Sequence, residues 1–187
     1  LFFEEVLMLP DWLDLLDAKT RLRAENLIET LRKLGATEAP MWVYSEIQED
    51  IPQMARFLIL RHLWQSLNRW VEDSAGYIPR MITEAEENTT DYFSGAGLAL
   101  KRLLSSGGTY EDIGQIAQWV AYEAMFEVLN VIDEGHVDDA DEDSPGWELI
   151  ETDFDGDPTG RCVGGLHESF LSLNLSNKRR ANSYITD

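Results

Sequence analysis

The fold of this chain depends on the stretch from Thr109 to Gly135, which reads TYEDIGQIAQWVAYEAMFEVLNVIDEG. Thr109 offers a hydroxyl at an N-cap position, and Asp112 offers a carboxylate three residues later. Each of these side chains can therefore accept a hydrogen bond from the other residue's backbone amide. Gly135 readily adopts the positive φ of the residue that follows a helix. The stretch predicts one long helix that ends just before Gly135.

This helix is predicted to bury one face in the core. Apolar residues recur at steps of three and four, which places them on one side of a helix with 3.6 residues per turn. Burying each large side chain contributes about 1.5–3 kcal/mol, so the helix is expected to be a central element. The predicted buried positions are Ile113, Ile116, Ala117, Val120, Ala121, Ala124, Val128 and Ile132, and the predicted polar side carries Gln115, Gln118, Tyr122, Glu123, Glu127 and Asn130.

An acidic segment follows this helix directly. Seven Asp or Glu residues fall between positions 133 and 143, and no Lys or Arg occurs from residue 103 to residue 160. Those 58 residues carry sixteen acidic residues, and so most of the net charge of −20. The counter-charge of the segment has three candidate sources: Arg161, the basic tail at residues 178–180, or another molecule.

Composition predicts one folded domain. With 187 residues, of which 44% are hydrophobic, the chain is long enough for one full core. Its six Trp, seven Phe and six Tyr argue against disorder. We expect a single helical domain over residues 1–175 and a polar, frayed tail over residues 176–187.

Residue usage also predicts the compartment. Cys162 is the only cysteine, which excludes an intramolecular disulfide and fits a reducing cytoplasm. The first nine residues are apolar but include Glu4 and Glu5 and lack the basic start of a signal peptide. No run of about 18 apolar residues occurs, so we expect no membrane span. Because residue 1 is not Met, we expect a processed or trimmed chain.

Capping signals and the apolar period mark further helices. A short helix is expected from Pro10, and a longer one over residues 18–34, with Gly35 as its stop. The start signal at residues 50–52 contains a proline, which the first turn of a helix tolerates, and opens a helix that runs to about residue 72. Residues 41–47 fit either a helical turn or a short strand.

Another long helix is expected over residues 81–104. Gly76 and Pro79 break the apolar pattern before it, and a turn at residues 105–108 ends it. Gly95 and Gly97 lie in its middle, where each glycine costs about 1 kcal/mol relative to alanine. A kink or a close helix–helix contact is therefore predicted there.

The C-terminal part changes character. Residues 147–152 have a β-like composition, and a turn at residues 155–160 leads to a returning strand near residues 161–163. Residues 151–156 also follow the opening alternation of a calcium loop, but Cys162 stands where that loop requires a bidentate Glu, so a hairpin is the better interpretation. The fold prediction is mainly α: a compact bundle of about five helices with a small C-terminal β-hairpin at residues 147–163.

Carboxylates at helical spacing predict, as an alternative, a metal site. Glu84 and Glu87 share a helix face, as do Glu123 and Glu127, and two such faces across a helical hairpin would hold Mg²⁺ for phosphate chemistry. The arrangement resembles, in outline, the all-α nucleoside triphosphate pyrophosphohydrolases, whose motifs pair Glu-x-x-Glu with a downstream Glu-x-x-Asp. Glu84-x-x-Glu87 matches the first half, whereas Asn130 follows Glu127 where the second half has Asp. The resemblance implies a nucleotide hydrolase; solvated helix faces are the simpler interpretation.

Nucleophilic chemistry would need Cys162 and His167, or His136 with the neighbouring acids. A thiolate requires a cation or a helix N-terminus beside it and a base within hydrogen-bond reach, and the sequence indicates neither for Cys162. Three histidines far apart in the chain, with one cysteine, do not predict a zinc site.

The leading hypothesis is a non-enzymatic binding protein that presents a carboxylate-rich surface to a basic protein partner, as an immunity or antitoxin protein or a nucleic-acid mimic does. A net charge of −20 disfavours nucleic acid and anionic membranes, and no cofactor is predicted. The alternatives are the Mg²⁺-dependent hydrolase and a scaffold subunit whose charge serves only solubility. The predicted contact residues are Asp138, Asp139, Asp141, Glu142 and Asp143, with Trp147 as the aromatic anchor.

Overall fold

The computed structural model describes residues 12–136 and 144–173. Within these ranges it contains seven α-helices and one two-stranded antiparallel sheet near the C-terminus. This confirms the prediction of a mainly α fold with a C-terminal hairpin. The five predicted contact acids between positions 138 and 143, and the basic tail, lie outside the described residues.

The helices and strands have the following bounds. The α-helices are α1 (Ala18–Lys33), α2 (Ala39–Gln48), α3 (Gln53–Glu72), α4 (Ser74–Glu87), α5 (Ser94–Ser105), α6 (Tyr110–Glu134) and α7 (Leu166–Phe170). Single 3-10 turns occupy Trp12–Leu15 and Leu171–Leu173, and the strands are β1 (Ile150–Thr152) and β2 (Pro158–Cys162). None of the helices in the described ranges combines the length and the apolar character needed to cross a membrane.

The chain divides into two compact units. Residues 1–61 and 129–187 form the first unit, and residues 62–128 form the second. The single domain predicted over residues 1–175 stays a prediction.

In the second unit, the helix predicted over residues 81–104 is two helices, and that part of the prediction is wrong. Gly76 and Pro79 do not break a helix but lie inside α4. The break comes at residues 88–93, where the side chain of Asn88 accepts a hydrogen bond from the Thr90 hydroxyl at 2.9 Å. Asp91 likewise accepts the backbone N–H of Phe93 at 2.9 Å. Such short polar side chains compete with helical hydrogen bonds and favour turns.

The close helix–helix contact predicted for the glycine pair is confirmed at Gly97. This residue is buried, and a Cβ atom there would overlap the Cβ of Ala85 and the carbonyl of Met81. Gly95 has no neighbour within 4 Å of such an atom. Only one of the two glycines therefore lets α5 approach α4.

Helix α6 begins and ends as predicted. The backbone N–H of Asp112 donates to the Thr109 hydroxyl at 3.0 Å, and the N–H of Thr109 donates to the Asp112 carboxylate at 3.2 Å. This reciprocal pair is the capping box that the sequence predicted. Gly135 has φ of +70° at the other end, where a side chain with a Cβ would be strained.

The face of α6 that is buried is different from the predicted one. Gly114 lies against α3, where a Cβ atom on it would come within 2.6 Å of the Trp70 carbonyl oxygen. One turn later, the Gln118 amide donates to the Asn68 side-chain oxygen at 3.0 Å. Tyr122 then meets Trp64 with ring centroids 5.9 Å apart. Among the predicted core positions, Ile113 is buried and Ala117, Ala121 and Ile132 are partly buried. The remaining four, Ile116, Val120, Ala124 and Val128, are exposed.

In the first unit, an ion pair with a buried carboxylate joins the helices to the hairpin. Glu46 of α2 is only 4% exposed. One of its oxygens accepts the backbone N–H of Met54 in the first turn of α3 at 2.9 Å, and the other accepts Arg161 of β2 at 2.7 Å. Arg161 also pairs with Glu151 of β1 at 2.6 Å. Two consecutive helices and the distant hairpin thus share one carboxylate.

The hairpin carries no calcium-loop arrangement. Ile150 pairs with Cys162 and Thr152 with Pro158, with an irregular register between them. Asp153 uses one carboxylate oxygen to accept the backbone N–H groups of Asp155 and Asp157, each at 3.0 Å. The carboxylate therefore closes the turn, as the hairpin interpretation expected.

The contact at Gly114 predicts opposite effects for two glycine substitutions. Gly114→Ala should lower the free energy of unfolding by about 1–2 kcal/mol, because the overpacking cost exceeds the gain in helix propensity. Gly76→Ala is the matched control: its Cβ meets nothing within 4 Å, so it should raise that free energy by about 0.5–1 kcal/mol. Urea denaturation measures both, and a stabilised Gly114→Ala protein would contradict this packing.

The shared carboxylate predicts a large loss of stability for Glu46→Ala. Removing it leaves the Arg161 charge short of a buried partner and the Met54 amide without its acceptor, which should cost about 3–5 kcal/mol. Glu46→Gln keeps an acceptor but not the charge and should lie between this variant and the wild type. Gln48→Ala, at the exposed end of α2, should change stability by less than about 0.5 kcal/mol. A loss below about 1 kcal/mol for Glu46→Ala in urea denaturation would be inconsistent with the pair.

Candidate binding surface

The predicted acidic loop has both of its ends fixed on the C-terminal end of α6. The backbone N–H of Trp147 donates to the carbonyl of Gly135 at 2.9 Å. The indole N–H of Trp147 donates to the carbonyl of Val131 at 3.0 Å. The two ends of the segment from residue 136 to residue 146 are therefore held close together.

Two glycines make this closure possible. A Cβ atom on Gly146 would come within 2.8 Å of the Gly135 carbonyl oxygen, and one on Gly135 would come within 2.8 Å of the Trp147 carbonyl oxygen. The backbones at the two ends of the loop therefore approach closely because neither residue has a side chain. A cavity of about 530 Å³ lies beside this base, and its lining residues include Glu134, Glu148 and Cys162.

Trp147, predicted as an aromatic anchor for a partner, serves first as part of the loop base. Its indole N–H already has an acceptor within the chain. The residue nevertheless remains 39% exposed, so part of the ring is accessible at the edge of the loop. Its contribution to a partner contact stays a prediction, limited to the ring and not to the N–H.

Arg161, one candidate counter-charge for the loop, is already paired with other acids. Its Nε and Nη2 donate to Glu151 and its Nη1 donates to Glu46, all at 2.6–2.8 Å. The same Nη1 lies 3.6 Å from the Asp50 carboxylate. Burial acts to lower the pKa of Arg161, but hydrogen bonds and charges from Glu46 and Glu151 outweigh it and raise that pKa. The first basic residue after the acidic stretch thus stays charged and is fully engaged in the hairpin network.

The four carboxylates predicted as Mg²⁺ ligands are exposed and are not brought together. Glu84 pairs with Arg80 of its own helix at 3.7 Å, and Glu87 is exposed near the end of α4. Glu123 and Glu127 are exposed on α6. Within the described ranges, no group of three or more His, Cys, Asp or Glu residues is placed to hold a metal ion.

His167 and Cys162 do not form the nucleophile–base arrangement that their residue types permit. His167 lies at the start of α7, where its backbone N–H donates to the Asp133 carboxylate at 2.8 Å and its Nδ1 lies 2.7 Å from the same oxygen. Arg56 donates to the Gly165 carbonyl and to the Ser169 hydroxyl. These contacts attach α7 to the first unit, and Cys162 is an exposed free thiol of the hairpin.

Sequence reasoning missed an exposed apolar face on α6. Ile116 is 61% exposed, Trp119 62%, Val120 54% and Val128 58%. Ile116, Val120 and Val128 were predicted to be core, and Trp119 belongs to neither the predicted core nor the predicted polar side. At 100° per residue, positions 116, 119, 120, 123 and 127 fall within one arc of about 100°, so Glu123 and Glu127 share this face. Val128 lies about 80° beyond Val120 and flanks the face. The signal that would have identified it is Gly114, which marks the opposite side as the packed one.

Comparisons with protein-family models, with curated proteins and with solved structures give no match. Function is therefore inferred from the contacts, exposure and charge of the described residues alone. Two surface features stand out among them: the closed base of the acidic loop and the exposed face of α6.

The hydrogen bond at the loop base predicts a measurable effect for Trp147→Phe. The substitution keeps an aromatic ring but leaves the Val131 carbonyl without its donor, which should cost about 0.5–1.5 kcal/mol of stability and speed hydrogen exchange at the Trp147 amide. Trp119→Phe is the matched control at an exposed tryptophan and should change stability by less than about 0.5 kcal/mol. Equal stability of the two variants would argue against this role for the indole N–H.

Proposed function

We propose that this protein is a non-enzymatic binding protein that presents a carboxylate-rich surface to a basic protein partner. The single observation that carries the proposal is the engagement of Arg161. It is the first basic residue after 58 residues without Lys or Arg, and its donors point to Glu46 and Glu151 of the hairpin network. Apart from Glu151, the acids of that stretch therefore lack the nearest counter-charge in the sequence.

The closed base of the acidic loop supports this proposal. Hydrogen bonds from Trp147 to Gly135 and Val131 hold the two ends of the loop together at one end of α6. Fixing both ends reduces the conformational entropy that the loop loses when a partner binds. Carboxylates concentrated on such a loop attract a basic partner over a Debye length of about 8 Å at physiological salt and so speed association.

The hydrolase alternative gains no support from geometry, because its four proposed ligands are exposed and do not cluster within the described residues. The scaffold alternative, in which charge serves only solubility, predicts that any five acids are equivalent. The experiment below therefore compares loss of charge in the loop with loss of the same charge elsewhere.

Neutralising the loop should slow partner association. The wild type is used for affinity capture from an extract of the native organism at about 0.05 M salt, and captured proteins are identified by mass spectrometry. We expect a basic protein that is released at about 0.5 M salt. Its association rate, measured with purified components, should fall at least tenfold when Asp138, Asp139, Asp141, Glu142 and Asp143 are replaced by the corresponding amides.

The control variant removes the same charge from exposed acids of other segments. Its association rate should stay within about twofold of the wild type, because distant charges are screened. Equal rates for the loop variant and the wild type would refute the proposal, and equal losses in both variants would favour the solubility reading. The control replaces Glu25, Glu29, Glu38, Glu49 and Glu72 by glutamine.

A further inference from the structure

We propose that the exposed face of α6 is a docking surface for an amphipathic basic helix of another protein. The face is defined by Ile116, Trp119, Val120, Glu123, Glu127 and Val128. This inference rests on the proposed function, because it names the kind of basic partner and a second place where that partner binds.

Exposure separates this face from ordinary surface hydrophobic residues. Single exposed apolar residues are common on soluble proteins and require no explanation. Here four large apolar side chains, each more than half exposed, lie within thirteen residues of one helix. Ile116, Trp119 and Val120 are neighbours on the helix surface, and contiguous apolar surface marks sites of protein contact. Trp119 is its largest member, and tryptophan is enriched among the residues that dominate binding energy.

The packed side of α6 leaves this face open to a partner. On the packed side, Gly114 contacts Trp70 of α3, Gln118 contacts Asn68 and Tyr122 contacts Trp64. Helix α6 therefore already has its intramolecular neighbour on the side opposite the exposed face. From position 116 to position 128 the helix rises about 18 Å, or slightly more than three turns. Over that length the face has an apolar cluster at one end, Val128 at the other end and two glutamates between them. A face of this sort can lie along another helix, which presents its own contacts at steps of three and four.

Charge identifies the partner as basic. Glu123 and Glu127 lie between the apolar residues of the face, one turn apart, and both are exposed. No Lys or Arg occurs from residue 103 to residue 160, so the helix itself offers no cation to neutralise them. A partner helix with lysines or arginines beside a row of leucines would match both the apolar side chains and the two carboxylates.

The same charges argue against a second copy of this chain as the occupant. Two copies that pair through this face would bring Glu123 and Glu127 of each against the other, within molecules of net charge −20. Like charges across an interface oppose association.

The proposal is tested with a synthetic helical peptide of about twenty residues that carries leucines along one face and lysines and arginines beside it. A peptide of identical composition but scrambled order is the control. Binding to the full-length protein is followed by fluorescence anisotropy at about 0.05 and 0.5 M salt. We expect the amphipathic peptide to bind at low salt at least tenfold more tightly than the scrambled one.

Variants of the face should weaken this binding selectively. Trp119→Ala should raise the Kd at least tenfold, which corresponds to about 1.4 kcal/mol. Tyr92→Ala removes another exposed aromatic side chain, in the turn between α4 and α5, and should leave the Kd unchanged. Replacing both Glu123 and Glu127 by glutamine should weaken binding at low salt and flatten its salt dependence. Unchanged urea midpoints show that each variant is folded.

Four results would overturn the inference. The first is an unchanged Kd for Trp119→Ala, and the second is equal binding of the amphipathic and scrambled peptides. The third is a wild-type dimer that dissociates in sedimentation when Trp119→Ala is introduced. The fourth is tighter peptide binding after residues 178–180 are changed to glutamine. The third result would assign the face to a second copy, and the fourth would assign it to the chain's own tail.

The two proposals fail separately. If the five-acid loop variant loses capture of the basic protein while Trp119→Ala does not alter capture or peptide binding, the proposed function stands and the inference about α6 is wrong. If Trp119→Ala loses both capture and peptide binding while the five-acid loop variant keeps both, the inference about α6 stands. The acidic loop is then not the contact surface. If neither variant affects either measurement, both proposals are wrong.

Discussion

The close approach of α6 to α3 at Gly114 is the constraint on which the surface of the second unit depends. A side chain at this position would meet the Trp70 carbonyl, so only glycine allows the two backbones to lie this near to each other. With the position of Gly114 set, the 3.6-residue period places Gln118 and Tyr122 against α3 one and two turns later. The side with Ile116 and Trp119 must then face outward.

The first unit depends in a similar way on one buried carboxylate. Glu46 accepts both the Met54 amide and the Arg161 guanidinium, and so joins α2, the start of α3 and the hairpin. A buried carboxylate is tolerated only when it is paired and hydrogen-bonded, and Glu46 satisfies both conditions. Because Arg161 is held by Glu46 and Glu151, the first basic residue after the acidic stretch is paired within the hairpin network. The buried carboxylate of α2 thus determines the pairing of Arg161 in the hairpin.

The errors in the sequence prediction have physical causes. Helix α6 has apolar residues on two sides, one through Ile116, Val120 and Val128 and the other through Tyr122, Met125 and Leu129. Periodicity identifies a helix from either set but does not show which set packs against another helix. The division between α4 and α5 was missed for a different reason, since Tyr92 and Phe93 continue an apolar pattern although both are exposed in the turn. There the side chains of Asn88 and Asp91 capture backbone amides that a continuous helix would use.

The sequence by itself determined the mainly α class, the ends of α6 and the hairpin with its turn. These features depend on contacts between near neighbours in the chain: the Thr109 capping box, the positive φ of Gly135 and the carboxylate of Asp153 in its own turn. Only the tertiary structure decided which face of α6 is exposed and which acids engage Arg161. Glu46 lies 115 residues from Arg161 and Asn68 lies 50 residues from Gln118, so no local pattern specifies either contact. Both follow from the packing of distant segments, and the proposed binding surfaces depend on that packing.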